Sequence, residues 1–203
     1  MTTSAASPIV DLSFSHRWQA EILPVCFPIL PARHFVYPRH AEEIERGALE
    51  ILIRPCAQPA QASSLTPLPD AREFLATCAL GFLDPAVPTG IWSTPDPEEI
   101  CAVCGGYAYL IDTVTPERFT MLPYRPVVEV RPLPEQALLL FVGHRSILAW
   151  GRNGQAWETE KLSSEGVTIA SIEGNELRGL GWDLLTCKET PFTIDLRTGL
   201  RIP

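Results

Sequence analysis

Hydrophobic positions are patterned most clearly between Leu138 and Leu162. Five consecutive apolar residues, Leu138 to Val142, stop at Gly143. A second apolar stretch runs from Ser146 to Trp150, and Asn153-Gly154 follows. A bounded run of this length suits a buried strand, and Asn-Gly favours a tight hairpin because primed turns need positive φ. Beyond it Gln155, Trp157, Thr159 and Lys161 share one face, and Ala156, Glu158, Glu160 and Leu162 the other. The pattern predicts an antiparallel meander.

Earlier segments obey the same period. In Ala48 to Pro55, Leu49, Ile51 and Ile53 alternate with Glu50 and Leu52, which predicts a strand that Pro55 ends. Glu73 to Phe82 is a short apolar run in β-rich surroundings and is assigned to a strand. Residues 1–8 are small and polar, a flexible tail. Ile9 to Tyr37 is apolar but broken by prolines, so residues 9–56 are expected to be an extended arm followed by the first strand, with one helical turn at Glu42 to Arg46. Residues 57–69 have three prolines and no aromatic residue, which predicts a loop or linker. Residues 70–203 form a repeat-like β region that makes one compact domain together with the arm.

A gapless shift of 38 residues lays Ile100–Thr113 over Leu138–Gly151. Gly105 falls on Gly143, Leu110 on Leu148, Phe119 on Trp157, and upstream Pro88 on Pro126. A looser third unit begins at Val167 and carries an inserted polar loop from Asp183 to Thr190. Units of about 40 residues with several short strands are characteristic of propeller blades, since a small sheet buries its faces only by stacking on neighbours. The expected fold is therefore all-β, with antiparallel blade-like meanders in a small or incomplete β-propeller. Three units are fewer than the usual four to eight blades, so a β-sandwich or half-barrel is the alternative.

Composition narrows the function classes. Asp and Glu outnumber Lys and Arg by 24 to 16, a net charge of −8, with no basic block to meet nucleic-acid phosphates. No segment is long and apolar enough for a membrane-spanning helix. The first residues lack the basic and apolar regions of a secretory leader, so a cytoplasmic location and reduced thiols are expected for the six cysteines.

Candidate chemistry is sparse. Cys101-Ala-Val-Cys104 has half of a zinc-knuckle spacing, but no second pair completes it, and residues three apart on a strand face opposite ways. No metal and no cofactor are expected. His144 and Arg145 stand between two apolar strands, without a nucleophile motif beside them. Glu42-Glu43 and Glu98-Glu99 are adjacent carboxylates, expected as solvated charge rather than a facing catalytic pair. Asp112 and Asp195 sit beside turns in apolar strands, where an aspartate usually caps turn amides. Five tryptophans, at 18, 92, 150, 157 and 182, are expected mostly in the core.

The segments Leu148–Glu158 and Phe192–Gly199 resemble blade strands of quinoprotein-type propellers, without a quinone-binding site. More broadly, the GGYAYLIDT, LLLFVGHRSILAWG and PFTIDLRTG stretches are similar to a family of uncharacterised bacterial proteins. That resemblance implies no assigned activity and supplies no catalytic residue. The first expectation for function is a non-enzymatic protein-interaction or scaffold module that docks a protein partner on turns between strands. The alternative is a small-molecule binder or enzyme with a pocket near His144, Arg145 and nearby tryptophans. Binding residues under either are sought among His144, Arg145, Trp150, Trp157, Asp112 and Asp195.

Overall fold

Among the described residues, short strands separated by turns make every regular element except 3-10 turns such as Pro134–Gln136. The computed structural model describes residues 7–24, 31–39, 44, 46–56 and 73–202. The strands are β1 (Ile9–Asp11), β2 (Trp18–Ile22), β3 (His34–Tyr37), β4 (Ala48–Pro55), β5 (Phe74–Ala79), β6 (Gly90–Ser93), β7 (Glu99–Cys104) and β8 (Tyr107–Asp112). They continue as β9 (Phe119–Met121), β10 (Glu129–Leu133), β11 (Leu138–Val142), β12 (Ile147–Gly151), β13 (Gly154–Glu158), β14 (Val167–Glu173), β15 (Glu176–Asp183) and β16 (Lys188–Asp195). The fold is all-β.

Four sheets result. The first has the order β2-β4-β5-β3, the second β1-β6-β7-β8-β9, the third β10-β11-β12-β13 and the fourth β14-β15-β16. None closes into a barrel. Period-two burial explains how they associate. In β7, Ile100, Ala102 and Cys104 pack against the first sheet, while Cys101 and Val103 pack against the third. In β11, Leu139 and Phe141 face the second sheet, while Leu138, Leu140 and Val142 face the fourth. Three buried clusters thus join the sheets in series. The second and third sheets are apolar on both faces, which is why their strands read as continuous apolar runs. Burying one side chain such as Phe141 contributes about 1.5–3 kcal/mol.

The 38-residue shift carries strands onto strands: Cys104 and Val142 end β7 and β11, and Phe119 and Trp157 fall in β9 and β13. It also places Cys101, Val103 and Leu110 on Leu139, Phe141 and Leu148, and all six side chains share one cluster. Matched faces therefore meet each other. The second and third sheets pack face to face through this cluster.

Turn chemistry accounts for the hairpins. Gly105 and Gly106, at φ +54° and +75°, form the two-residue turn joining β7 to β8. The diglycine after Cys104 is thus a hairpin turn and not part of a metal knuckle. The β12–β13 hairpin forms as expected, but its turn residues are Arg152 and Asn153, with Gly154 behind them at φ +103°. The pairing then slips so that Ala156 has no partner, a bulge that resets the alternation between Gln155 and Trp157.

Two further expectations change. Of the expected extended arm, Ile9–Asp11, Trp18–Ile22 and His34–Tyr37 are the strands β1, β2 and β3 of two sheets. β1 pairs with β6 and β3 with β5, both in parallel, within an otherwise antiparallel fold. The polar stretch from Asp183 to Thr190 is the tip of a hairpin: β15 reaches Asp183, residues 184–187 turn, and β16 restarts at Lys188 directly opposite. Residues 57–69, and most of the turn expected at Glu42 to Arg46, lie outside the described residues.

Candidate functional site

Edge strands decide where the surface is concave. β1, β2 and β10 are each the outermost strand of their sheet, and together they line a groove of about 1520 Å³. Ile9 and Val10 contribute from β1, Ala20 and Ile22 from β2, Val130 from β10, and the connection 82–89 closes one side. Ile9, Val10, Phe82 and Leu83 leave large apolar surface exposed, Leu83 at 87%. Contiguous exposed apolar surface of this kind is uncommon on a monomer and marks binding surfaces.

Charge in the groove has one sign. Among the described residues, Asp11, Glu50, Asp84 and Glu129 line it, and no Lys, Arg or His does. Three of these carboxylates already have partners nearby in the chain. Asp11 accepts from the Ser13 amide at 3.0 Å, Asp84 from the Ala86 amide at 2.9 Å, and Glu129 from Arg131 Nε at 2.7 Å. Glu50 differs: its Oε2 is buried and has no hydrogen-bond partner. A buried oxygen left without a donor loses its hydration uncompensated.

A second polar centre lies outside the groove. Glu99 shares the parity of Cys101 and Val103 on β7, so its carboxylate faces the third sheet, where Oε1 accepts from Trp150 Nε1 at 2.7 Å. Its backbone carbonyl accepts from Trp18 Nε1 of the first sheet at 3.2 Å. One residue thereby ties three sheets together. Burial pushes the Glu99 carboxyl up to about 7, while hydrogen bonds from Trp150 and Thr94 oppose the rise and Asp96 and Asp112 add to it. Of the adjacent pair expected in solvent, Glu98 keeps its side chain 43% exposed beside Arg17 at 3.4 Å, while the Glu99 carboxylate turns inward. The signal for Glu99 was its place at the head of a strand buried on both faces, opposite Asp112.

The six residues singled out from the sequence are not brought together. His144 and Arg145 are exposed in the turn between β11 and β12, where the backbone carbonyl of Arg145 accepts from Leu162 at 2.7 Å. Trp150 is buried against the second sheet. Trp157 is buried between the third and fourth, and its Nε1 donates to Leu196 O at 2.7 Å. Asp112 caps the Val114 and Thr115 amides at 2.9 Å, and Asp195 caps the Arg197 amide at 3.0 Å. None of the six lines the groove.

The cysteine pair and a second cleft complete the inventory of candidate sites. Cys101 and Cys104 point into different clusters, as their spacing on a strand requires. Burial pushes the Cys101 thiol well up and that of Cys104 to about 12, away from the thiolate a metal takes. No group of three or more His, Cys, Asp or Glu able to hold a metal ion occurs among the described residues. A smaller cleft of about 280 Å³ contains Tyr37 and Arg39. Their polar groups already donate to Pro116 O at 2.7 Å and Glu117 O at 2.9 Å, which braces β3 against the connection to β9. No described helix is long and apolar enough to cross a membrane.

No family model matches the chain, and neither the curated proteins nor the solved structures contain a match.

Proposed function

We propose that this protein is a non-enzymatic interaction module of blade-like sheets whose docking surface is the groove between β1, β2 and β10. The observation that carries this is the make-up of the groove. Free strand edges and exposed apolar side chains line it, and three of its four carboxylates are held by their own neighbours. A catalytic or small-molecule site needs several polar groups converging on one point, and here only Glu50 keeps an uncommitted buried oxygen. Strand edges and the 82–89 connection, more than the turns between strands, supply the surface. The same stacked arrangement suits a scaffold, since the sheets fix the edges that line the groove.

A displayed random-peptide library panned on the full chain tests this. Leu83→Asp places a charge on the groove rim at a residue with little packing to lose. Enriched peptides that bind Leu83→Asp at least tenfold more weakly are expected. No enrichment, or only peptides indifferent to Leu83→Asp, would overturn the reading.

A further inference from the structure

We propose that Glu99 is a proton-operated latch between the second and third sheets: protonated, its carboxyl faces inward and holds Trp150, and ionised, it swings to solvent and frees the indole. The first sheet stays attached in both states.

Position makes the swing possible. Glu99 is the first residue of β7 and is half-buried, while the rest of that strand is buried. Its side chain therefore stands at the rim of the seam, where a change of rotamer reaches water without moving the strand. Inward, Oε1 accepts from Trp150 Nε1 at 2.7 Å across the seam. Once the carboxylate has turned outward, the buried Trp150 ring keeps its packing but loses its acceptor. Trp18 differs. Its Nε1 donates to the backbone carbonyl of Glu99, a bond that depends neither on the side chain nor on its charge.

Charge supplies the driving force. Asp96 from the β6–β7 connection and Asp112, directly opposite on β8, both act on Glu99 with its own sign. Like charges set opposite each other on paired strands repel. The cations beside this cluster are engaged, Arg118 with Asp112 at 3.6 Å and Arg17 with Glu98 at 3.4 Å. Further along β7, burial keeps the Cys101 thiol protonated, so it adds no charge. One effect opposes release: the Trp150 bond strengthens when its acceptor is ionised. Burial outweighs it, because the inward carboxyl titrates at about 7 against an ordinary 4.5, even with the Trp150 bond in place. An outward carboxyl regains the ordinary value. The outward form therefore gains on the inward one as pH rises from 4.5 to 7, and no further above that. Trp92 packs in the same cluster as Trp150 and also lines the groove, so the seam and the docking surface share that side chain.

Proton–nitrogen NMR spectra of the full chain, with the five tryptophan indole signals assigned, test this. An indole proton resonates further downfield the stronger its hydrogen bond, so the sign of the change separates release from retention. As pH is raised from about 5 to about 8, the Trp150 signal should move upfield, several times further than that of Trp18. In Glu99→Gln, which keeps the acceptor and cannot ionise, it should stay in place. A downfield move in the unchanged chain would mean that the ionised carboxylate still holds Trp150, and the proposal would fall. No move, an equal move at Trp18, or the same move in Glu99→Gln would overturn it as well. If Glu99→Gln does not fold, the sign of the move in the unchanged chain and its size relative to Trp18 decide alone.

Discussion

Replacing Glu99 by glutamine should make the stability of this protein less sensitive to neutral pH. In the fold the Glu99 carboxyl titrates at about 7, against an ordinary value of 4.5. The folded state therefore holds this proton more tightly than the unfolded state. The stability it contributes is fully present below 4.5 and lost as pH rises toward 7. A difference of that size corresponds to about 3 kcal/mol at 1.36 kcal/mol per pH unit, a sizeable part of a domain's stability. Glutamine cannot ionise, and its carbonyl oxygen still accepts from Trp150. The urea midpoint of Glu99→Gln, followed by tryptophan fluorescence, should therefore rise relative to the unchanged chain between pH 4.5 and 8. Carboxylates remote from Glu99 titrate equally in both chains, so the difference reports Glu99 together with its neighbours Asp96 and Asp112. A difference that stays constant over this interval, or a variant that loses more stability at pH 8 than at pH 5, would refute the burial argument. Trp150→Phe offers a check of opposite sense: without the indole donor, the Glu99 carboxyl should titrate still higher.

Three other outcomes follow from the same geometry. Trp157→Ala removes a buried ring and the Nε1 bond to Leu196 O; urea unfolding should show a loss of about 3–5 kcal/mol. Phe119→Ala should lose less, because Phe119 is half-buried against Tyr37 at 4.8 Å. Gly105→Ala should cost about 1–2 kcal/mol for the left-handed backbone alone, and more because the new Cβ meets the Phe82 backbone; thermal unfolding reads this directly. Asp195→Ala should lower the unfolding midpoint near neutrality. Hydrogen bonds from the Arg197 side chain and amide hold the Asp195 carboxyl below its ordinary range. That stability is present above the unfolded aspartate's value and is lost as pH falls through the folded one, so the deficit of the variant should vanish in acid.

Much of the local structure was legible from residue order. Leu138 to Val142 had to be a strand buried on both sides, because five apolar neighbours leave no polar face. Cys101 and Cys104 had to diverge, because side chains three apart on a strand point to opposite faces. Asp112 and Asp195 were expected to meet turn amides, since each stands in an apolar strand beside a turn. All three follow from backbone period and turn chemistry, which act over a few residues.

What the sequence could not contain was the identity of the neighbours. Ile9 pairs with Gly90, and Trp18 reaches the carbonyl of Glu99. Contacts over some 80 residues are set by which apolar faces bury most area together, and local alternation is silent on that choice. The same ignorance hid the like-to-like meeting of the second and third sheets and left Glu99 looking like solvated charge. The groove is the extreme case: it belongs to no segment. Sequence by itself determined that this chain is a set of short strands joined by turns. Tertiary structure alone decided that three of its free edges lie side by side, because an edge becomes a surface only once the sheets behind it have stacked.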